Sequence, residues 1–233
     1  MNIDKTAIRD AATVILLRDR LNNPSILMGQ RGAKAAFMPN KFVFPGGAVD
    51  AADASVSFAT VLPDLCRERL ALRSETDMSA ALAAAAIREL WEETGLILGQ
   101  PGSWPSQPPV DWQSFAEMGF LPSAEPLQFV FRAVTPPGRP RRFDARFFLV
   151  DADAVQGDLD DFSRASDELS HLQWVPIEQA RDFDLPFITE VVLAEIAARA
   201  HDPNPPNSVP FFLNQEEESL FLQLKGYPMP QAD

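Results

Sequence analysis

Nine residues limit what this chain can be more than any others: Arg88-Glu89-Leu90-Trp91-Glu92-Glu93-Thr94-Gly95-Leu96. The stretch from Ser79 reads as a helix. Asp77 or Ser79 can cap its start, alanines fill its first half, and Gly95 sits where a left-handed C-cap is wanted. Successive residues on a helix turn by about 100°. Glu89, Glu92 and Glu93 therefore share one face at i, i+3 and i+4, while Ile87 and Trp91 point the other way. Three like charges side by side repel unless cations sit between them. All-oxygen ligands with no Cys or His favour Mg²⁺ or Mn²⁺ over zinc. Taken alone, the nine residues also fit a solvated acidic face.

The flanking sequence narrows that choice. Ala12 to Leu17 and Ser25 to Met28 read as a strand pair around Asn22-Asn23-Pro24, and the short apolar segment Lys41 to Phe44 stops at Pro45-Gly46-Gly47. Paired glycines let backbone carbonyls and amides approach a ligand closely. Asp64 to Leu72 forms a candidate short helix. Gly99 to Pro126 is a Pro-rich, largely irregular excursion with a helical turn or two near Trp112 to Met118. Phe129 to Val134 and Arg146 to Val150 pair as strands, His171 to Val175 is a further strand, and Ile188 to Ala200 is an amphipathic helix. Asp202 to Pro210 reads as a linker, and the tail from Phe211 is apolar enough to pack.

Strand, Pro-Gly-Gly, then a helix bearing Arg-Glu-x-x-Glu-Glu-x-Gly resembles the Nudix hydrolase family. Its box runs Gly, five residues, Glu, seven residues, then Arg-Glu-(apolar)-x-Glu-Glu-x-Gly-(apolar). Gly47 matches the first glycine and Arg88 to Leu96 match the second half throughout. Two departures stand out. Asp53 occupies the first Glu position, and 34 residues, Ala54 to Ile87, replace the seven-residue spacer. The segments Gln30-Arg31, Phe37-Met38-Pro39 and Arg142-Phe143-Asp144-Ala145-Arg146-Phe147-Phe148 are similar to the branch that includes coenzyme A diphosphatases with an interrupted box.

The resemblance implies an α/β fold: an α/β/α sandwich with a mixed central sheet, Ser79–Thr94 on one side and Ile188–Ala200 on the other. It implies one domain over residues 1–233, with a core of about 7–200, an insertion near 54–78, the excursion near 99–126 and a tail at 201–233. It also implies metal-dependent cleavage of a diphosphate, with Glu89, Glu92, Glu93 and the Gly47 carbonyl as metal ligands. Arg88 would steady Glu92, and the general base would be Glu89 or Glu168. Gly46, Arg31, Lys34, Arg142 and Arg146 are the substrate-binding candidates. Arg31 stands thirteen residues before Phe44, as the coenzyme A signature requires, but its second arginine is Ala36 here. Coenzyme A or an acyl derivative is the first substrate expectation. ADP-ribose, NADH and dinucleoside polyphosphates come next, and a non-catalytic nucleotide-sensing module is the reading from another class.

Composition bears on partners. A net charge of −13 argues against a nucleic-acid partner, yet carboxylate-bound cations can still draw in a small phosphate compound. No apolar run approaches the roughly 18–20 residues a membrane span needs. One cysteine and two histidines rule out an internal disulfide and disfavour a zinc site. The expectation is a cytoplasmic protein without a membrane partner, and the family prior adds a homodimer.

Overall fold

The computed structural model describes residues 7–33, 35, 38–214 and 219–224. Its framework is a nine-stranded mixed sheet. Strand β1 (Ile8–Arg18) is central because its alternating side chains are apolar on both faces. It runs parallel to β8 (Arg142–Asp151) along its whole length, and β8 pairs antiparallel with β7 (Gln128–Val134). On its other side β1 divides its partners. Its end, Leu17 and Arg18, pairs with β2 (Ser25–Arg31), whereas Ala11 to Thr13 pair with β4 (Gly46–Ala48). Strands β3 (Phe42–Val43) and β9 (Leu169–Pro176) both pair with β2. The segment read as a turn, Gly46-Gly47, is thus itself a strand, and the chain reverses just before it.

Helix α1 (Asp64–Ala71) lies within the inserted segment, and α2 (Ser79–Thr94) follows it. Ala83 to Ala86 are all fully buried. Their small side chains let α2 lie close on the sheet, and alanine is also the best helix former. Asp77 accepts a hydrogen bond from the Ser79 amide at 3.0 Å, and Gly95 closes the helix at φ 75°, its N–H donating to the Trp91 carbonyl. The excursion holds a hairpin of β5 (Gly99–Pro101) and β6 (Phe120–Pro122) with the short helix α3 (Gln113–Glu117) between them.

One core joins α2, α1 and the excursion to the Ala12, Val14 and Leu16 face of β1. A second packs α4 (Phe187–Arg199) on the Ile15 and Leu17 face. The layers are therefore helix, sheet, helix, as expected. The sheet does not end with α4. Val209–Asn214 forms β10, parallel to β7, and Ser219–Leu224 forms β11 beside it. Among the described residues no helix is long and apolar enough to cross a membrane.

Candidate active site

The division of β1 between β2 and β4 brings the backbone of Gly46 and Gly47 beneath the last turns of α2. The Gly46 N–H donates to Glu93 Oε2 at 2.7 Å. A Cβ on Gly46 would lie 2.6 Å from the Ala12 carbonyl oxygen. One on Gly47 would fall 2.3 Å from Glu89 Oε1, so the Glu89 carboxylate rests in the space a side chain would fill. Gly46 is thus required by the close approach of β1, and Gly47 by that of α2.

Arg88 organises the face. It is 4% exposed, and its Nε and Nη2 each reach one oxygen of Asp53, both at 3.1 Å. Nη1 donates to Glu89 Oε1 at 2.9 Å and Glu92 Oε2 at 3.1 Å, while Nη2 also reaches the Ala48 carbonyl at 2.9 Å. Asp53, 1% exposed, also accepts from the Asp50 amide at 2.9 Å. The shorter carboxylate in the box thus serves as the buried counter-ion of Arg88. Burial works against the Arg88 charge, but the Asp53 hydrogen bond and the charges of Glu89, Asp53 and Glu92 outweigh it and hold the proton more firmly than usual.

The three carboxylates lack full compensation. Burial pushes the Glu89 carboxyl up to about 7, against the opposing pull of Arg88. Burial likewise raises Glu92, and it raises Glu93 well above the usual range, with the neighbouring Glu89 charge adding to the effect. Among the described residues no three acidic, His or Cys side chains close on one point as a ready-made cation cage. Arg88 Nη1 instead holds Glu89 and Glu92, and the Gly46 amide holds Glu93. The donors nevertheless suit a hard divalent cation: they are all oxygen, they crowd one face, and their charge is under-balanced. Glu89, Glu92 and Glu93 are the residues able to hold it.

Other expected site residues fall into two groups. Glu168 is exposed, in a loop whose Ser166 amide donates to the Glu92 carbonyl at 2.8 Å and whose Arg164 packs on Gly95. Its charge adds the smallest of the upward pushes on each of the three helix carboxyls. Arg31, at the end of β2, stabilises the charged form of Glu93, and its Nε has no hydrogen-bond partner among the described residues. Lys34 and Ala36 lie outside the described residues.

The second basic group is engaged elsewhere. Arg146 is buried against Asp10 and Asp144, and Arg142 Nε donates to the Thr135 carbonyl at 3.1 Å. Beside them Arg132 joins Asp144 to the carbonyls of Leu72 and Arg73, just past α1. Two features had no signal in the spacing: the Asp53–Arg88 pair, 35 residues apart, and the arrival of Trp112 Nε1 at Asp53, 3.4 Å away.

The family model for the NUDIX domain matches residues 75–196, just over half of the chain. The chain belongs to the Nudix family. Its match begins inside the interrupted box, so Gly47 and Asp53 join the motif through geometry. Nudix hydrolase 7 of Caenorhabditis elegans is 28% identical over 185 residues, covering 75% of this chain and 53% of that protein. Acyl-coenzyme A diphosphatase NUDT19 of Gallus gallus is 32% identical over 121 residues, 43% of this chain and 32% of that protein. The chain thus spans about half or less of these two relatives. A crystal structure of a NUDIX hydrolase from Alicyclobacillus acidocaldarius superposes with a TM-score of 0.62 at 28% identity, covering 85% of this chain and 94% of that one.

Proposed function

We propose that this Nudix protein hydrolyses a diphosphate bond in a nucleoside-diphosphate-linked small molecule, with coenzyme A or an acyl-coenzyme A as the substrate. The observation that carries the reading is the Arg88-braced row of Glu89, Glu92 and Glu93 lying on Gly46 and Gly47. In this reading the three glutamates and the Gly47 carbonyl hold Mg²⁺ or Mn²⁺. Such ions, when bound, neutralise phosphate charge and lower the pKa of a water. Arg88 fixes Glu89 and Glu92 relative to each other. Glu168, whose carboxylate makes no hydrogen bond to a described residue, takes the proton of the attacking water, and Glu89 is the alternative acceptor. Water adds to one phosphorus, and the bridging P–O bond breaks with the electron pair leaving on the other phosphate. Coenzyme A would give 3′,5′-ADP and 4′-phosphopantetheine.

Two observations support that substrate. NUDT19 of Gallus gallus carries acyl-coenzyme A diphosphatase in its name. Arg31 also carries a guanidinium charge felt by Glu93, and a cation near the carboxylates suits an additional phosphate. The test is incubation of the parent and Glu93→Gln with coenzyme A, ADP-ribose, NADH and diadenosine polyphosphates, with Mg²⁺ or Mn²⁺. Release of 3′,5′-ADP from coenzyme A by the parent alone is the expected result. Turnover of only the other compounds would overturn the substrate and keep the chemistry. Binding without turnover of any would favour a sensing module.

A further inference from the structure

The Pro-rich excursion is no part of the Nudix box, yet it touches the box at a buried point. Asp53 Oδ1 receives two donors, Arg88 Nε at 3.1 Å and Trp112 Nε1 at 3.4 Å. All three side chains are enclosed, Trp112 being 1% exposed. Aromatic neighbours hold the Trp112 ring in place, with Phe115 edge-on at 5.4 Å and Trp104 tilted at 5.8 Å. The same segment grips α2 a second time, where Trp91 Nε1 donates to Ser114 Oγ at 2.9 Å and Trp91 meets Phe115 edge-on. Arg88, held by Asp53 on one side, places Glu89 and Glu92 with Nη1 on the other.

We propose that Trp112 is a positioning residue, acting through Asp53 on the Arg88 guanidinium and so on the placement of Glu89 and Glu92. The physical reason is the shape of a buried carboxylate. Asp53 must stay aimed at Arg88 to keep both of its hydrogen bonds. A carboxylate oxygen that loses one of two donors in a dry site turns toward other partners. The indole N–H removes that freedom at Oδ1, as the Asp50 amide does at Oδ2. Aspartate in place of glutamate fits this arrangement, since the shorter side chain has fewer rotamers to restrain. A contact of 3.4 Å is long for N–H···O, so the effect belongs at the lower end of the range for a buried hydrogen bond. The excursion is thereby a working part of the site.

The inference rests on the diphosphatase reading for its activity readout, and two other readouts are independent of it. Trp112→Phe deletes the N–H together with part of the buried ring, so a second variant must account for the lost packing. Trp104→Phe makes the same chemical change one ring away, where the N–H serves the Phe120 carbonyl. Expected for Trp112→Phe is a fall in kcat of about twofold to threefold, the lower end of the scale of one buried hydrogen bond. KM for the nucleotide is unchanged, Mn²⁺ affinity by calorimetry is weakened by a similar factor, and thermal stability in chelator stays near that of Trp104→Phe. Trp104→Phe, which reaches the Trp112 ring through packing alone, lowers kcat less than Trp112→Phe does.

Asp53→Asn tests the route. If Trp112 acts through Asp53, adding Trp112→Phe to Asp53→Asn brings little further loss, a non-additive cycle. Additive losses, or equal losses in Trp112→Phe and Trp104→Phe, would overturn the inference. If the parent hydrolyses nothing, the functional reading fails and the Mn²⁺ cycle still decides the coupling. If it binds no Mn²⁺ either, the Trp112 indole proton resonance decides. An upfield move and faster exchange in Asp53→Asn support the contact, and an unchanged resonance refutes it.

Discussion

Glu89→Gln should make the metal-free protein more stable while abolishing turnover. Glu89 is mostly enclosed, with 12% of its side chain exposed, and burial lifts its carboxyl from 4.5 to about 7. A raised acid binds protons more tightly folded than unfolded. The penalty for carrying its charge is therefore complete above about pH 7, shrinks as pH falls toward 4.5, and is absent below it. A gap of about 2.5 pKa units at 1.36 kcal/mol per unit amounts to about 3 kcal/mol. Glutamine keeps the shape and an oxygen able to accept from Arg88 Nη1, and it loses the charge. Urea unfolding in chelator should show Glu89→Gln more stable than the parent by about 3 kcal/mol at pH 8.5, roughly 6–12 °C in Tm for a chain of this size. The difference should vanish near pH 4.5. Mg²⁺ should then raise the parent Tm more than that of the variant, because a cation binding only the folded state stabilises it. Equal stabilities of the two proteins at pH 8.5 in chelator would refute the picture of Glu89 as an under-compensated buried charge.

Gly47→Ala sets a Cβ 2.3 Å from Glu89 Oε1, so the carboxylate must move by about 1 Å, and kcat should fall on the order of 100-fold with circular dichroism unchanged. Arg88→Met leaves Asp53 buried without its counter-ion and should cost about 3–5 kcal/mol in urea unfolding at pH 7.5, besides the loss of activity. Arg31→Ala should raise KM for coenzyme A by about tenfold, the scale of one charge-assisted hydrogen bond, and change ADP-ribose less. Arg146→Met, which leaves Asp144 with Arg132 and deprives Asp10 of its ion pair with Arg146, should lower Tm with KM for either compound unchanged. A rise in KM there would place Arg146 at the substrate.

The parts legible in the sequence were those whose cause is local. The span of α2 follows from its alanines, its period and Gly95, and the first hairpin follows from apolar runs either side of Asn22-Asn23-Pro24. The row of three glutamates needed only helical spacing. What escaped depends on contacts between distant segments. Gly46-Gly47 reads locally as a turn and becomes a strand because β1 parts from β2 and offers it a free edge. Pro210 makes its segment look like a linker, yet it sits one residue inside β10, where a missing N–H is tolerated. Arg142 and Arg146 do share a strand face, but alternation says nothing of what that face meets. Arg146 meets Asp10 from the parallel neighbour β1.

The interrupted box shows why motif spacing and site geometry are separable. The box needs Asp53 near Arg88, and any chain segment can join them once they are paired. Lengthening the connection from seven residues to the 34 present here adds only about 1.4 kcal/mol of loop-closure entropy. The inserted segment also packs on the sheet. Cys66 and Leu70 of α1 are buried in the core beneath it, at roughly 1.5–3 kcal/mol for a side chain such as Leu. Arg69 ties the helix to the carbonyls of Pro206 and Asn207, ahead of β10. Insertion and C-terminal strands therefore hold each other. Trimming residues 56–76 to restore a short spacer should leave the Asp53–Arg88 pair able to form while loosening β10. Hydrogen exchange would then rise over 209–214 before it rises over α2. Equal, early exchange in α2 would mean that the helix carrying the glutamates depends on the insertion as well as on its own sequence.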